Sequence, residues 1–191
     1  MNPALRLGPD GLARCAWVGD DVEYRRYHDE EWGTPLHGDR ALFEKLSLEG
    51  FQAGLSWITI LRKRPHFREV FAGFEPEAVS QFGDDDIARL MGDAGIVRNR
   101  AKIEATISNA KIVSGMPEGE LDALLWSFAP ASPRPRPQGL GDIPATTAES
   151  EAMSKTLRKR GFRFVGPTTM YALMQSAGMV DDHVAGCHRA T

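Results

Sequence analysis

The chain of 191 residues is long enough for one substantial core, and its 42% apolar and 26% charged content is ordinary for a soluble globular protein. No apolar run approaches the ~18 residues of a membrane helix, and the start, MNPALRLGPDGLARC, has no continuous apolar block like a secretory signal, so a cytoplasmic protein with no membrane partner is expected. A formal net charge of −3 and a pI near 6.0 give no whole-chain pointer to nucleic acid. Charge is nonetheless clustered. LRKRPHFR (61–68), RNRAK (98–102) and LRKRGFR (157–163) are basic, whereas DDVE and GDDD are acidic. Such clusters are commonly solvated helix faces.

Helical periodicity and turn signals recur along the chain, and alternating strand-like runs are nearly absent. Asp39 can cap a helix through RALFEKLSLEGFQAG, which Gly54 ends. A second helix starts at SWITILRKR and is stopped by Pro65. Asp84 to Asp86 suit the positive end of a helix over DIARLMGDA. Gly95 then turns the chain into RNRAKIEATISNAKIV, and LDALLWSFA forms another helix. Residues 129–147, APASPRPRPQGLGDIPATT, are kept irregular by proline and read as a long surface connection. SEAMSKTLRKR ends at Gly161, and Thr168 can cap TMYALMQSA ahead of Gly178. No internal repeat is visible. The expectation is one all-α domain.

The only two cysteines stand near opposite ends, in CAWVGDDVEYRRYH and in DDHVAGCHRA. In a reducing compartment a disulfide between them is not expected, and thiols there more often bind metal or act as nucleophiles. The spacings Cys15-x12-His28 and His183-x3-Cys187 supply four ligands of the kind zinc prefers, enough to close a tetrahedral structural site. A metal bond spanning nearly the whole chain would also remove loop-closure entropy from the unfolded state. The alternative is that both cysteines are small buried hydrophobes and the histidines only form hydrogen bonds. Spacing alone leaves the two readings level. His37 and His66 have no such partner; His188 is a possible substitute ligand, with awkward geometry beside Cys187.

Read at 3.6 residues per turn, Leu42, Leu46, Glu49 and Ala53 share one stripe, so Glu49 interrupts an apolar face while Glu44 and Lys45 can point outward. A carboxylate buried there needs a partner or a ligand and should have a raised pKa; at a helix edge it would simply be wet. Trp17, Tyr24, Tyr27 and Trp32 crowd the first half of the metal pattern, and Trp57 follows Glu49 by eight residues. Most such rings are core, but rings combined with an acid would hold a flat, electron-poor or cationic ring well. The AGLS turn can bring backbone close to a ligand.

The stretches RCAWV, YRRYHDEEWGTP, LFEKLSLEGFQAGLSWITIL, DAGIVRNRAKIEATISNA, LLWSF, SKTLRKRGFRFVG and DDHVAGC, in that order over roughly residues 14–187, resemble the DNA-3-methyladenine glycosylase I (Tag-type) family. The resemblance implies a mainly helical base-excision enzyme of the helix-hairpin-helix superfamily. Such an enzyme cuts the N-glycosidic bond of 3-methyladenine in alkylated double-stranded DNA and releases the free base with no strand-cleaving lyase step. The chain is expected to be a monomer with one glycosylase domain over 14–191 and residues 1–13 a short flexible extension.

By the same resemblance Cys15, His28, His183 and Cys187 are the ligands of one structural Zn²⁺ per chain. Glu49 falls on the family's pocket glutamate and catalytic candidate. Tyr24, Tyr27 and Trp57 fall on base-contacting aromatics, Trp17 on the pocket lining, and DAGIVRNRAKI on the hairpin. Two positions depart: Val97 stands where other superfamily members often carry a second glycine, and Phe51 where a polar residue also occurs. On this reading Gly54, Leu55 and Ser56 form a wedge for the gap left by an extruded base. The amides from Gly95 to Arg98, with Arg98 and Arg100, grip phosphate at a helix N-terminus. Two rivals are a small-molecule zinc hydrolase, which needs an open coordination position, and a non-catalytic zinc-stabilised nucleic-acid-binding module.

Overall fold

In the computed structural model, which describes residues 2–190, β1 (Leu5–Leu7) pairs antiparallel with β2 (Ala13–Cys15), setting Leu5 opposite Cys15. This small sheet departs from the all-helical expectation. Strands of three residues are too short for an alternating pattern to show in sequence. The rest is helical: α1 (Val22–Glu30), α2 (Asp39–Gln52), α3 (Trp57–Val70), α4 (Pro76–Ser80), α5 (Asp84–Gly92), α6 (Arg100–Ser114), α7 (Glu120–Trp126), α8 (Ala148–Lys159) and α9 (Pro167–Ser176). Among the described residues no helix is long and apolar enough to cross a membrane.

Helix α2 runs through the middle and packs against α3, α6, α7 and α9. Its Leu42, Phe43, Leu46, Leu48 and Phe51 are all fully buried. Phe51 meets Phe67 at 4.7 Å between ring centres, and Phe71 stacks on Phe74 at 5.5 Å, so the position departing from the family pattern belongs to an aromatic core. Helix α1, which no periodicity announced, is nucleated by Asp21, whose side chain accepts from the Tyr24 amide. Glu44 and Lys45 do not point outward as expected. Glu44 is half-buried against Arg68, and Lys45 is only 7% exposed. With α3 on one side of α2 and α9 on another, little of its circumference is left for solvent.

Three helix boundaries also differ from expectation. Asp39 does not cap its own helix; Gly38 occupies that position, and the Asp39 carboxylate accepts from the amides of Gly119 and Asp122 at the start of α7. Pro65 does not stop α3, which continues to Val70. An interior proline costs roughly 3 kcal/mol, comparable to what burying one large side chain such as the fully buried Phe67 contributes, about 1.5–3 kcal/mol. Burial of Arg64 on Glu31 adds to the balance. Thr168 does not cap α9, because Pro167 takes the first helical position with Gly166 before it.

The irregular stretch after α7 passes between the two termini. The Asn2 side chain donates to the Gln138 carbonyl (2.7 Å) and the Ala185 amide to the Pro137 carbonyl (2.8 Å). Past α9, Gly178 has φ +70°, and a Cβ there would lie 2.4 Å from the Thr34 carbonyl carbon and 2.5 Å from Pro35 nitrogen. Both obstacles are backbone, and the left-handed conformation adds its own strain. Gly178→Ala is therefore expected to destabilise the fold by about 3 kcal/mol or more, the range of core overpacking, read as a lowered urea midpoint.

Candidate functional site

Helices α1, α2, α3 and α9 enclose a cavity of about 210 Å³. Its walls are rings: Trp17 from the turn after β2, Tyr24 and Tyr27 from one face of α1, Trp32 just beyond it, and Trp57 at the start of α3. Tyr27 and Trp57 approach to 5.4 Å between centres, and Trp17 and Tyr24 to 4.9 Å. Glu49 enters from α2, 3% exposed, and accepts a hydrogen bond from Ser176 Oγ at 2.9 Å. Burial pushes its carboxyl up to about 7, against the opposing effects of the Lys45 charge and the Ser176 hydrogen bond. Burial, and then the nearby Glu49 charge, raise Tyr24 to about 12. The apolar stripe thus holds the acid inside at Leu42, Leu46 and Glu49, whereas Ala53, past the helix end, is exposed.

The two chain ends meet beside this cavity. Sγ of Cys15 and Cys187 and a ring nitrogen of His28 all lie within 4.8 Å of one another, with His28 Nε2 3.5 Å from Cys187 Sγ. The ring of His183 stands 4.8 Å from that of His28, centre to centre, and its Nε2 is buried with no hydrogen-bond partner. Both imidazoles are oriented from behind. His28 Nδ1 lies 2.8 Å from Asp29 and His183 Nδ1 2.8 Å from Asp181, leaving each Nε2 directed elsewhere. Burial would raise Asp29, yet hydrogen bonds from Arg14, His28 and His188 hold it well below the usual carboxylate range. His188 is therefore committed to Asp29, at 2.9 Å. Hydrogen bonds from Cys15 and His28 lower the Cys187 thiol, while Cys15, facing Cys187 and buried, is pushed up. Trp17 and Trp32 stack edge-on against His28 and His183, at 5.3 and 4.6 Å, so cluster and cavity share a wall.

The Gly54–Leu55–Ser56 turn joins α2 to α3, between the cavity residues Gln52 and Trp57. Gly54 has φ +82°, Leu55 is 42% exposed, and Ser56 Oγ pairs with Thr59. Helices α5 and α6 are joined by residues 93–99. Gly95 serves space there rather than a left-handed turn, since a Cβ would come within 2.1 Å of His66. Its amide donates to Asp93, which in turn pairs with His66 Nε2 at 2.7 Å. Arg98 is exposed, and among the described residues Arg100 reaches only Glu104, at 3.5 Å.

Several cavity residues escaped sequence reasoning: Gln52, Ile143, Ala172, Gln175 and Ser176. Ser176 lies 127 positions from Glu49, and no local pattern joins them. In sequence Lys102 belongs to a basic cluster and to the hairpin stretch, yet its Nζ donates to the carbonyls of Phe51 and Ala53, tying α6 to the turn that ends α2. The capping role depends on two helices meeting, which no local pattern encodes.

Fold and pocket together define a helical protein with a cavity walled by aromatic rings beside a buried carboxylate. The methyladenine glycosylase family model matches residues 17–190. DNA-3-methyladenine glycosylase 1 of Escherichia coli (strain K12) is 47% identical over 179 residues, 92% of this chain and 96% of that protein. A crystal structure of 3-methyladenine DNA glycosylase I (TAG) superposes with a TM-score of 0.89 at 44% identity, covering 93% of this chain and all of that one. The Staphylococcus aureus TAG structure that addresses 3-methyladenine recognition gives 0.84 at 38% identity, covering 92% and 95%. The chain belongs to the methyladenine glycosylase family.

Proposed function

We propose that this protein hydrolyses the N-glycosidic bond of 3-methyladenine in alkylated double-stranded DNA, releasing the free base, as a monomer without a strand-cleaving step. The observation that carries the reading is Glu49, buried and singly hydrogen-bonded in a cavity walled by five rings. Methylation at N3 makes the base cationic, so it departs as a neutral purine from a bond already weakened. Little acid catalysis is needed. The ring faces favour the cation, and ionised Glu49 either accepts from the adenine or stabilises the oxocarbenium-like sugar as water attacks. A base inside a duplex must first be extruded, at a few kcal/mol, which a damaged pair lowers. The exposed Leu55 is the candidate wedge, with Gly54 and Ser56 shaping its turn.

The hairpin between α5 and α6 is the candidate phosphate grip, with Arg98 and Arg100 supplying charge at the N-terminus of α6. Asp93 would oppose an anion there, but its pairing with His66 offsets that charge. A lyase step needs an amine at the sugar, and no lysine lines the cavity among the described residues. The cluster at the chain ends suits zinc. Two thiols, two carboxylate-backed imidazoles and an orphaned buried His183 Nε2 match a closed structural site held by Cys15, His28, His183 and Cys187. When bound, the ion would supply cross-linking, not chemistry.

The test is incubation with methylated duplex DNA, chromatography of the ethanol-soluble fraction, and a gel of the strands before and after alkali. Free 3-methyladenine is expected, with strands that break only on alkali treatment. DNA binding with no released base would leave a non-catalytic module instead.

A further inference from the structure

Behind the ring wall of the cavity lies a second one of about 200 Å³, and Lys45 lines this rear chamber, not the front. Ser176 lines both. The Lys45 ammonium sits 5.2 Å from the centre of the Tyr27 ring and 5.6 Å from that of Trp57, and it makes no hydrogen bond among the described residues. A lysine that is 7% exposed and without a hydrogen bond is costly to keep charged. Tyr27 and Trp57 also line the front cavity, so they separate this ammonium from any ring bound there.

We propose, on the reading given above, that Lys45 is a positioning residue for excision: its ammonium, one helical turn before Glu49 and screened from the base by Tyr27 and Trp57, is the counter-charge that keeps Glu49 ionised.

The surrounding charges leave it that role. On its own helix Lys45 faces Glu44 and Glu49; from α1 and its end come Tyr27, Glu30 and Glu31; from α3, Arg64 and Arg68; α9 offers only the neutral Ser176. Glu31 is committed to Arg64 by two hydrogen bonds, of 2.5 and 2.8 Å, and Glu44 to Arg68 at 2.7 Å. Glu30 is exposed and 3.9 Å from Arg26. Of the carboxylates around Lys45, Glu49 alone is fully buried, and its hydrogen-bond partner among the described residues is the neutral Ser176. Burial lowers Lys45, and Glu49 is the first charge that opposes that effect; in return Lys45 is the charge that lowers Glu49 against its own burial. The coupling is mutual, as it must be. Without a cation behind it, the buried acid would already hold a proton above neutral pH and lose the charge that a cationic purine requires.

The sign is definite. Removing a positive charge raises a carboxylate's pKa, so the pH below which Glu49 is protonated moves up. The experiment is the pH profile of kcat/KM for release of 3-methyladenine from methylated DNA, pH 5.5 to 9, for wild type, Lys45→Met and Lys45→Arg. The acid limb of Lys45→Met is expected to move up by about one pH unit, the low end of what a close opposite charge does, with rates converging above pH 8.5. Lys45→Arg should keep the wild-type limb. An unshifted limb, or a loss equal at every pH, would overturn the proposal. In parallel, ¹³C-carboxyl NMR of Glu49 in wild type and Lys45→Met reads its titration without turnover, and Lys45→Gln serves if the methionine variant does not fold. A shifted carboxyl titration in a protein that releases no base would fault the glycosylase reading alone; an unshifted one with normal release would fault only Lys45.

Discussion

Replacing Glu49 with glutamine is expected to lower kcat/KM for 3-methyladenine release by about 100-fold or more, the scale of losing one preorganised charge at a developing cation. The melting temperature should hold or rise slightly. Glutamine keeps the shape and can still accept from Ser176 Oγ, but carries no charge into a site that is 3% exposed. The stability sign follows from linkage. Folding raises this carboxyl from 4.5 to about 7, so its ionisation opposes folding increasingly above the unfolded pKa and fully above about 7. The amide removes that penalty at pH 8. Activity runs the other way: in the wild type kcat/KM should fall as pH drops through about 7, where the free enzyme's carboxylate takes up its proton. Full excision by Glu49→Gln would refute both roles considered for this residue, base reader and transition-state stabiliser.

The second large effect is expected at the chain ends. Purified protein should carry one zinc per chain, and Cys187→Ser or prolonged chelation should lower the melting temperature by more than about 10 °C. A lost structural metal forfeits several kcal/mol, and at this chain length each costs about 2–4 °C. The consequence should reach the cavity, because Trp17 and Trp32 rest on His28 and His183. Differential scanning calorimetry with metal analysis measures both. A folded, equally active protein with no bound zinc would remove the cross-link from the explanation.

What the sequence disclosed and what it hid follow from range. The inward position of Glu49 was legible because a helix has one period and the acid broke it; the residue lies at 3% exposure. Helices starting at Asp84 and following Thr147 were legible from acids and turn residues nearby. The Cys and His pairs could be paired only by resemblance, since 159 residues separate His28 from Cys187. Asp39 shows the limit most clearly. Its chemistry is that of a cap, yet the helix it caps belongs to residues 120–126, whose approach no local pattern encodes. Lys45 shows the same limit from the other side: charge on a helix reads as solvent-facing until three neighbouring helices leave it no solvent.

Three of the four tryptophans, Trp17, Trp32 and Trp57, line the cavity, so a purine bound there should quench most of the intrinsic emission. Titration with free 3-methyladenine, with adenine as the control, therefore tests the pocket directly. Saturable quenching at one site per chain is expected, weaker for Glu49→Gln and weaker again for adenine. Emission unchanged by 3-methyladenine, or quenched equally by adenine and in Glu49→Gln, would contradict an acid-and-ring pocket made for this base.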